Sequence, residues 1–290
     1  MAAMEERPTG RIERAAPLIR RLLAPNPSPF TFTGTQTFIV GEEEVAVIDP
    51  GPDDAGHVEA LLRGLAGERV AAILCTHTHR DHSPASRALQ AATGAPIVGC
   101  APLAIDGGGI QLDESFDADY RPDRVLADGG TLSGPGWTLE AVATPGHTSN
   151  HLAFHLPETN ALFTADHVMG WSTTVVSPPD GDMTDYMASL EKLIARDDRV
   201  YYPGHGDEIS DRPQRLARGQ LGHRKQREGQ ILRALNGGAE RSIPEMVAEM
   251  YKGLDPRLAP AAGRSVLAHL IDLDRRGLAA GEGERWRRAG

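Results

Sequence analysis

The feature that most constrains this chain is a dense histidine cluster that directly follows an apolar run. Residues 70–76 read VAAILCT, a continuous apolar segment typical of a buried β-strand. Residues 77–82 read HTHRDH and place three imidazoles and one carboxylate within six positions. Because imidazole and carboxylate are common metal ligands, the sequence predicts a metal site at the end of this strand.

The spacing within the cluster favours two metal ions. His77 and His79 lie on the same face of an extended chain and can bind one cation. A turn after Arg80 would direct Asp81 and His82 toward a second cation. Because one cluster cannot complete two coordination shells, we expect further ligands at other strand ends.

Three later positions meet that requirement. Each follows a predicted strand: His147 in the turn TPGHT, Asp166 at the end of FTAD, and His205 in the turn YPGHG. Taken singly, a histidine or aspartate after a strand is more often a loop or capping residue. It is the ordered combination with the histidine cluster that indicates a common site.

This ordered combination resembles the metallo-β-lactamase superfamily: H-x-H-x-D-H, then P-G-H-T, then an aspartate that ends a strand, then G-H-G. The match covers residues 35–206. The resemblance implies an αββα sandwich with a dinuclear, usually zinc, site at one edge. It implies a first metal bound by His77, His79 and His147, a second bound by Asp81, His82 and His205, and Asp166 as a bridge between them.

Such a site predicts a hydrolase. Two cations that share a water lower its pKa toward neutrality and supply a metal-bridging hydroxide as nucleophile, while one of them polarises the oxygen of the electrophile. Asp81 would also accept a hydrogen bond from that hydroxide and orient it, which makes Asp81 the predicted catalytic residue. We expect two Zn²⁺ ions per chain, with Fe or Mn as alternatives, because mixed Asp/His sites accept all three metals.

The rest of the pattern predicts an α/β chain of two parts. Strand and helix patterns alternate between residues 36 and 202, which fits two packed mixed sheets with helices on their outer faces. From Arg212 onward helical patterns take over, and the final RGLAAGEGERWRRA fits either a hairpin that completes a winged helix or a frayed terminus. We predict a metal-hydrolase domain over residues 1–210 and a small helical, winged-helix-like domain over residues 211–290.

Local signals mark two helices next to the predicted site. Ser83 and Pro84 have the residue types of a helix N-cap and first turn, and Gly94 that of a helix end. Asp182 is placed to cap a later helix with an apolar stripe. Both helices would begin close to the segments that carry predicted ligands.

Charge divides the chain at the same place as the patterns. Residues 1–210 hold 14 Lys and Arg against 30 Asp and Glu, whereas residues 211–290 hold 16 against 10, an excess of six positive charges. A basic module attracts anions, although charge alone identifies no partner.

The chain has no run of 18 apolar residues and no secretory signal pattern, so we expect a cytoplasmic protein that does not span a membrane. Cys75 and Cys100, in or beside apolar runs, predict buried thiols.

Two stretches narrow the resemblance to the β-lactamase-like protein 2 group. One is N-P-x-x-F-T-x-x-G-T-x-T from Asn26 to Thr37, and the other follows Asp166 and includes Tyr186 and Ser189. The resemblance implies an endoribonuclease on single-stranded RNA, and a basic tail would suit that polyanion. However, aromatic residues make up only 5% of the chain, and no interleaved aromatic and basic stripe marks the tail.

Two alternatives stay open. A thioesterase like glyoxalase II, which acts on acyl thioesters, shares the H-x-H-x-D-H motif and the bridging aspartate. In an alternative of another class, the tail is a nucleic-acid-binding or dimerising module and the metal is structural or regulatory. Chelation separates these cases, because a catalytic metal can leave without unfolding the chain and a structural one cannot.

Overall fold

The computed structural model describes residues 8–103, 115–238 and 240–289. The chain folds into two compact units. The first contains Met1–Ala143, Asn150–Ser172 and Asp197–Pro213, and the second contains Thr144–Ser149, Thr173–Arg196 and Gln214–Gly290. The predicted domain boundary at residue 210 stays a prediction.

The first unit carries two mixed β-sheets and two helices among its described residues. Helices α1 (Ala55–Gly64) and α2 (Ala85–Thr93) precede and follow the fifth strand. The strands are β1 (Glu13–Ala16), β2 (Ile19–Leu23), β3 (Gln36–Glu42), β4 (Glu44–Ile48), β5 (Arg69–Cys75), β6 (Ile97–Gly99), β7 (Arg124–Val125), β8 (Thr131–Gly134), β9 (Trp137–Ala143), β10 (Leu152–Leu156), β11 (Ala161–Ala165) and β12 (Val200–Pro203).

Each sheet contains both parallel and antiparallel strand pairs. In the described part of the chain, β1 to β7 form a sheet in chain order, and the pairs from β4 to β7 are parallel. The second sheet has the order β12-β11-β10-β9-β8, with β11 and β12 parallel. This arrangement confirms the predicted α/β fold class.

Apolar side chains from both sheets form one core. Ile39 and Ile73 of the first sheet and Phe154 of the second are at most 1% exposed. Trp137 at the start of β9 also belongs to this core, and its Nε1 donates to Glu44 O at 2.8 Å. Strands of this kind are apolar on both faces, which is why β5 reads as a continuous apolar run.

The strands that end beside the metal-ligand candidates end in strained turns. Asp49 directly follows β4 with φ +48°, and Ala165, the last residue of β11, has φ +43°. Non-glycine residues rarely adopt this left-handed conformation, and it costs about 1–3 kcal/mol. Asp49 itself and Asp166, the residue after Ala165, therefore lie at kinks at the carboxyl ends of two strands.

The predicted limits of α2 are right at one end and wrong at the other. Gly94 ends the helix in the left-handed conformation, with φ +71°, as its residue type predicted. Ser83 is not the N-cap: Pro84 occupies that position and no side chain caps the helix. The Ser83 hydroxyl instead donates to Asp117 Oδ2 at 2.9 Å, because that buried carboxylate lies within its reach.

The second unit is helical, with a small sheet. Its elements are α3 (Met183–Ile194), α4 (Pro213–Ala234), β13 (Arg241–Ser242), α5 (Ile243–Met250), a 3₁₀ turn (Pro256–Leu258), α6 (Ala259–Arg275), β14 (Ala279–Glu282) and β15 (Arg285–Arg288). Asp182 caps α3 by accepting from the backbone of Thr184 and Asp185, as predicted. The strands have the order β13-β15-β14, so the C-terminal residues form the hairpin of a winged helix and not a frayed terminus.

Apolar side chains from α4, α5, α6 and the hairpin form the core of the second unit. Ile231, Met246 and Leu270 are fully buried, and Trp286 is 4% exposed. Ser242 begins α5 with a capping box: its hydroxyl accepts from Glu245 N, and the Glu245 carboxylate accepts from Ser242 N. Two unsatisfied backbone donors are thereby paired at the helix start.

Two sequence expectations concern burial and membranes. Among the described residues, no helix is both long enough and apolar enough to cross a membrane. Cys75 and Cys100 are free thiols and both are fully buried, which confirms the prediction for them. Burial raises the pKa of each thiol well above its usual range, so both stay protonated.

Candidate metal centre

Six of the seven predicted ligands lie in the first unit. Nε2 of His77 lies 2.9 Å from Nδ1 of His79, directly after β5. Asp166, after β11, offers a carboxylate oxygen within 4.8 Å of a nitrogen of each histidine. These three side chains could hold one divalent cation.

A second group of donors lies next to the first. Oδ2 of Asp81 lies 3.3 Å from Nε2 of His82 and 3.3 Å from Nε2 of His205. Oδ1 of Asp166 lies 3.5 Å and 3.3 Å from the same two nitrogens. Asp166 therefore adjoins both groups, which is the position that a bridging ligand requires.

The seventh predicted ligand, His147, belongs to the second unit and is described with it. Gly146 has φ +131°, and a Cβ there would lie 2.3 Å from Tyr186 N, so only glycine lets this turn approach α3 so closely. His147 Nδ1 donates to Val175 O at 2.7 Å, which makes Nε2 the acceptor nitrogen of the ring. Its role as a metal ligand stays a prediction.

A buried network orients the histidines of the cluster. Asp49 accepts from Thr76 N and Thr76 Oγ1 at 2.8 Å each and from His82 Nδ1 at 2.9 Å. Because the Thr76 hydroxyl donates to Asp49, it accepts from His77 Nδ1, 2.9 Å away. With Nδ1 of His77 and His82 held in this way, Nε2 of each ring faces the donor group.

The loop before β3 fixes the other members of the second group. Thr35 Oγ1 donates to Asp81 Oδ2 at 2.9 Å. Asn26 holds Thr35 in turn, since its side chain accepts from Thr35 N and donates to Thr35 Oγ1, both at 2.9 Å. His205 Nδ1 donates to Gly34 O at 3.2 Å. Carboxylate and imidazole are thus positioned by the same short segment.

Sequence reasoning missed Asp49 and Thr35 as parts of this site. Asp49 had a usable signal, because it follows the apolar strand VAVI just as Asp166 follows LFTA. Thr35 had none, since a threonine in a loop is common and its contact with Asp81 joins residues 46 positions apart. His151 also lies nearby, with its ring centroid 5.0 Å from that of His77.

The donor set fits a pair of divalent cations. It consists of imidazole nitrogens and carboxylate oxygens, which Zn, Fe and Mn all accept. Gly204 leaves room at its centre: a Cβ on Gly204 would lie 2.7 Å from both Asp166 Oδ1 and His82 Cε1. The Nε2 atom of His82 is buried and makes no hydrogen bond within the described residues, although two carboxylates lie close to it.

The charges of the site act strongly on one another. Burial alone would raise the pKa of Asp81 and Asp166, but His82 and His205 outweigh it and hold both values well below the usual range. Burial would lower the pKa of His82 and His205, but the carboxylates outweigh it, raising the first well above its usual value and the second to about 10.

The pKa of His77 moves the other way. Burial lowers it well below the usual range, and the neighbouring rings of His82 and His79 lower it further. His77 is therefore a neutral imidazole at neutral pH, ready to bind a cation. The carboxylates hold protons on His82 and His205, so a cation bound there would have to displace those protons.

The comparisons with known proteins agree with this geometry. The metallo-beta-lactamase superfamily domain matches residues 30–205, and the beta-lactamase associated winged helix domain matches residues 242–286. The chain therefore belongs to the metallo-beta-lactamase superfamily and carries the associated winged-helix domain.

Relatives support this membership, and a solved structure shares the fold. An atrochrysone carboxyl ACP thioesterase of Aspergillus fumigatus is 34% identical over 77% of this chain and 67% of its own length. A beta-lactamase-like protein 2 homolog of Caenorhabditis elegans is 31% identical over 83% of this chain and 78% of its own. A beta-lactamase domain protein from Burkholderia ambifaria, 20% identical, has the same fold with a TM-score of 0.81 over 97% of this chain and 94% of that one. Membership defines a hydrolase fold with a candidate divalent metal site.

Proposed function

We propose that this chain is a metal-dependent hydrolase of acyl thioesters. Hydrolysis is supported by one observation: two sets of imidazole and carboxylate donors lie next to each other, and Asp166 adjoins both sets. The thioester is supported by the relative named as an acyl-carrier thioesterase, at 34% identity. A thiolate is also a good leaving group, because an ordinary thiol has a pKa of about 8.5.

In this proposal each side chain of the site has one task. His77 and His79 would hold a first divalent cation, with His147 as the further ligand that the sequence predicts. Asp81, His82 and His205 would hold a second, and Asp166 lies next to both groups. Cations bound there would lower the pKa of a bound water toward neutrality and would polarise the carbonyl oxygen of the thioester. Zinc is the metal we propose, with iron and manganese as alternatives.

Asp81 is the proposed catalytic residue. Its Oδ2 already accepts from Thr35 Oγ1, so the orientation of the carboxylate is fixed before substrate binds. From that position Asp81 would accept a hydrogen bond from the attacking water and direct it toward the carbonyl carbon. The water oxygen would then bond to the acyl carbon as the C–S bond breaks, with one water proton ending on the released thiol and the other on the released carboxylic acid.

Cleavage of single-stranded RNA is a second candidate, favoured by one observation on the second unit. Arg215, Arg218 and Lys225 are exposed on α4, which would suit a polyanion. Against it, several basic residues of this unit, Lys225 among them, contact partners within it, and Lys225 Nζ lies 3.5 Å from Glu191 Oε1. Arg276 pairs with Glu228 at 2.7 Å, and Arg227 lies over the Tyr251 ring at 4.1 Å.

Turnover assays on one preparation separate the two candidates. The protein is stripped with chelator and reloaded with Zn²⁺, Fe²⁺ or Mn²⁺. Each form is then offered an acyl-N-acetylcysteamine thioester, S-lactoylglutathione and a fluorogenic single-stranded RNA. We expect thioester turnover that chelator abolishes and metal restores. Metal-dependent RNA cleavage without thioester turnover would overturn the proposal in favour of the nuclease.

A further inference from the structure

The loop between β2 and β3 carries two phenylalanines with unusual placements. Phe30 is 53% exposed, one of the two large apolar side chains that stand out as exposed among the described residues; the other is Val125. Phe32 is partly exposed and has φ +58°. Left-handed backbone is rare for a bulky residue, so the surrounding contacts must hold Phe32 in place.

Those contacts make the loop rigid. Thr31 Oγ1 donates to Asn26 O at 2.5 Å, and Phe32 N donates to Ser28 O at 2.8 Å. The Ser28 hydroxyl also accepts from the backbone N–H of Phe30 and of Thr31, at 3.1 Å and 3.0 Å. A surface aromatic group on such a loop loses little conformational entropy when a ligand binds.

Phe32 forms a flat pair with Trp171. The two ring centroids lie 4.7 Å apart and the ring planes differ by 7°. The indole Nε1 is buried and makes no hydrogen bond with the described residues, so the stacking contact and not a hydrogen bond sets the orientation of the ring. The pair is an apolar surface and not a polar anchor.

This aromatic pair lies beside the metal-ligand candidates. A Cβ on Gly206, whose φ is +84°, would lie 2.9 Å from Trp171 Cδ1 and 3.8 Å from Phe32 Cδ1. Gly206 directly follows His205, so the rings lie next to the residue that follows a predicted ligand. The same loop also reaches Asp81 through Thr35. Aromatic surface and metal centre are therefore parts of one structure in the first unit.

We propose that Phe30, Phe32 and Trp171, here called the aromatic wall, bind the acyl part of the thioester substrate and favour planar aryl over short alkyl acyl groups. This inference rests on the proposed function. A planar group can stack on the flat pair, whereas a methyl group buries little area there. An acyl group on the wall would be held by the same loop that positions Asp81, because Thr35 of this loop donates to the Asp81 carboxylate.

Binding of inert substrate analogues tests the wall apart from catalysis. The probes are two thioethers of N-acetylcysteamine, one S-(2-naphthylmethyl) and one S-ethyl, titrated into the metal-loaded protein by calorimetry. We expect the wild type to bind the naphthyl compound more tightly. Phe30→Ala and Phe32→Leu should each weaken that binding by about 3- to 10-fold and leave the ethyl compound unchanged.

Val125→Ala is the matched control, because Val125 is 50% exposed on β7 of the same unit and far along the chain from the wall. The proposal that the aromatic wall binds aryl groups would be overturned if the affinities do not change in Phe30→Ala and Phe32→Leu, or if they fall equally for both thioethers. Weaker binding of a single-stranded oligonucleotide in these variants, with the naphthyl affinity unchanged, would overturn it in favour of nucleobase stacking.

Turnover of the matching 2-naphthoyl and acetyl thioesters separates this inference from the proposed function. If both are hydrolysed, the ratio of their kcat/KM values should fall in Phe30→Ala by the same factor as the affinity. If neither is hydrolysed but naphthyl binding still depends on Phe30, the proposed function fails and the aryl subsite stands.

Discussion

Two regions of this molecule bury titratable side chains, and they do so in opposite ways. At the candidate metal centre, His77, His82 and Asp49 are at most 2% exposed, and hydrogen bonds direct the Nε2 atoms of both rings toward the same group of donors. In the second unit, Arg224 and His269 are 3% and 2% exposed. Both ring nitrogens of His269 and the Nε of Arg224 make no hydrogen bond with the described residues.

The first region has the features of a ligand-binding site, whereas the second contains buried polar groups that lower the stability of the fold. The guanidinium of Arg224 donates to Thr174 O and lies over the Tyr186 ring at 5.0 Å. These two contacts offset only part of the free-energy cost of burying its charge. Buried polar groups without partners cost stability. Polar groups that converge, as at the metal centre, are typical of ligand binding. We therefore expect changes at the first region to affect activity and changes at the second to affect stability.

The largest expected effect comes from removing a metal ligand. His77→Ala and Asp166→Asn should each lower kcat/KM by on the order of 10³-fold, because the activated water and the carbonyl polarisation are lost together. Circular dichroism should show unchanged secondary structure. His155→Gln, on β10 of the same unit, is the control and should retain activity. Unfolding of the chain by chelator alone would point instead to a structural metal.

A smaller effect is expected at the carboxylate behind the ligands. Asp49→Asn keeps the size of the side chain but weakens its hold on His82 and Thr76. Metal affinity, measured by competition with a chromophoric chelator, should fall by about 10- to 100-fold. Asp123→Asn changes a carboxylate that binds Ile97 N instead and should leave the affinity unchanged. Equal losses in both variants would contradict the orienting role.

The second region should respond to pH. Burial, together with Arg224 and His223, lowers the pKa of His269 to about 3. An unfolded chain binds a proton at this residue near pH 6.5, so the folded state loses stability as pH falls from 6.5 toward 3. Between pH 7 and pH 5 the loss from this one group is about 2 kcal/mol.

Hydrogen exchange of the α6 amides measures that loss in place. Protection should fall from pH 7 to pH 5 once the intrinsic exchange rate is corrected, and His269→Gln should flatten the dependence. If protection of α6 depends equally steeply on pH in the wild type and in His269→Gln, groups other than His269 cause that dependence. The positive charges of Arg227 and Arg276 also lower the pKa of His269.

The smallest effect is expected at the start of α5. Ser242→Ala removes the acceptor for Glu245 N and should cost about 1 kcal/mol, seen as a lower urea midpoint for the winged-helix unit. Ser133→Ala, at an exposed hydroxyl on β8, should stay within about 0.5 kcal/mol. The reverse order would mean that the capping box is not formed in solution.

The sequence predicted the parts of this site that have local signals. The histidine cluster, Asp166 and His205 were found because each follows an apolar strand, and the carboxyl ends of neighbouring strands meet at one edge of a sheet. The winged helix followed from helical spacing and a Gly-rich hairpin. Thr35 and the aromatic wall were not found, because they depend on contacts between segments far apart in sequence. The Ser83 cap was wrong because a distant carboxylate, Asp117, competes for its hydroxyl.

The bridge between Thr35 and His205 has a consequence for the order in which the molecule assembles. His77 to His82 leave the ribosome early and within a few residues of one another. His205 can reach Asp81, and Gly34 171 positions before it in the chain, only after β12 has joined β11. If the second group binds a metal, its donor set is therefore complete only in a chain that has folded through β12, because His205 follows that strand.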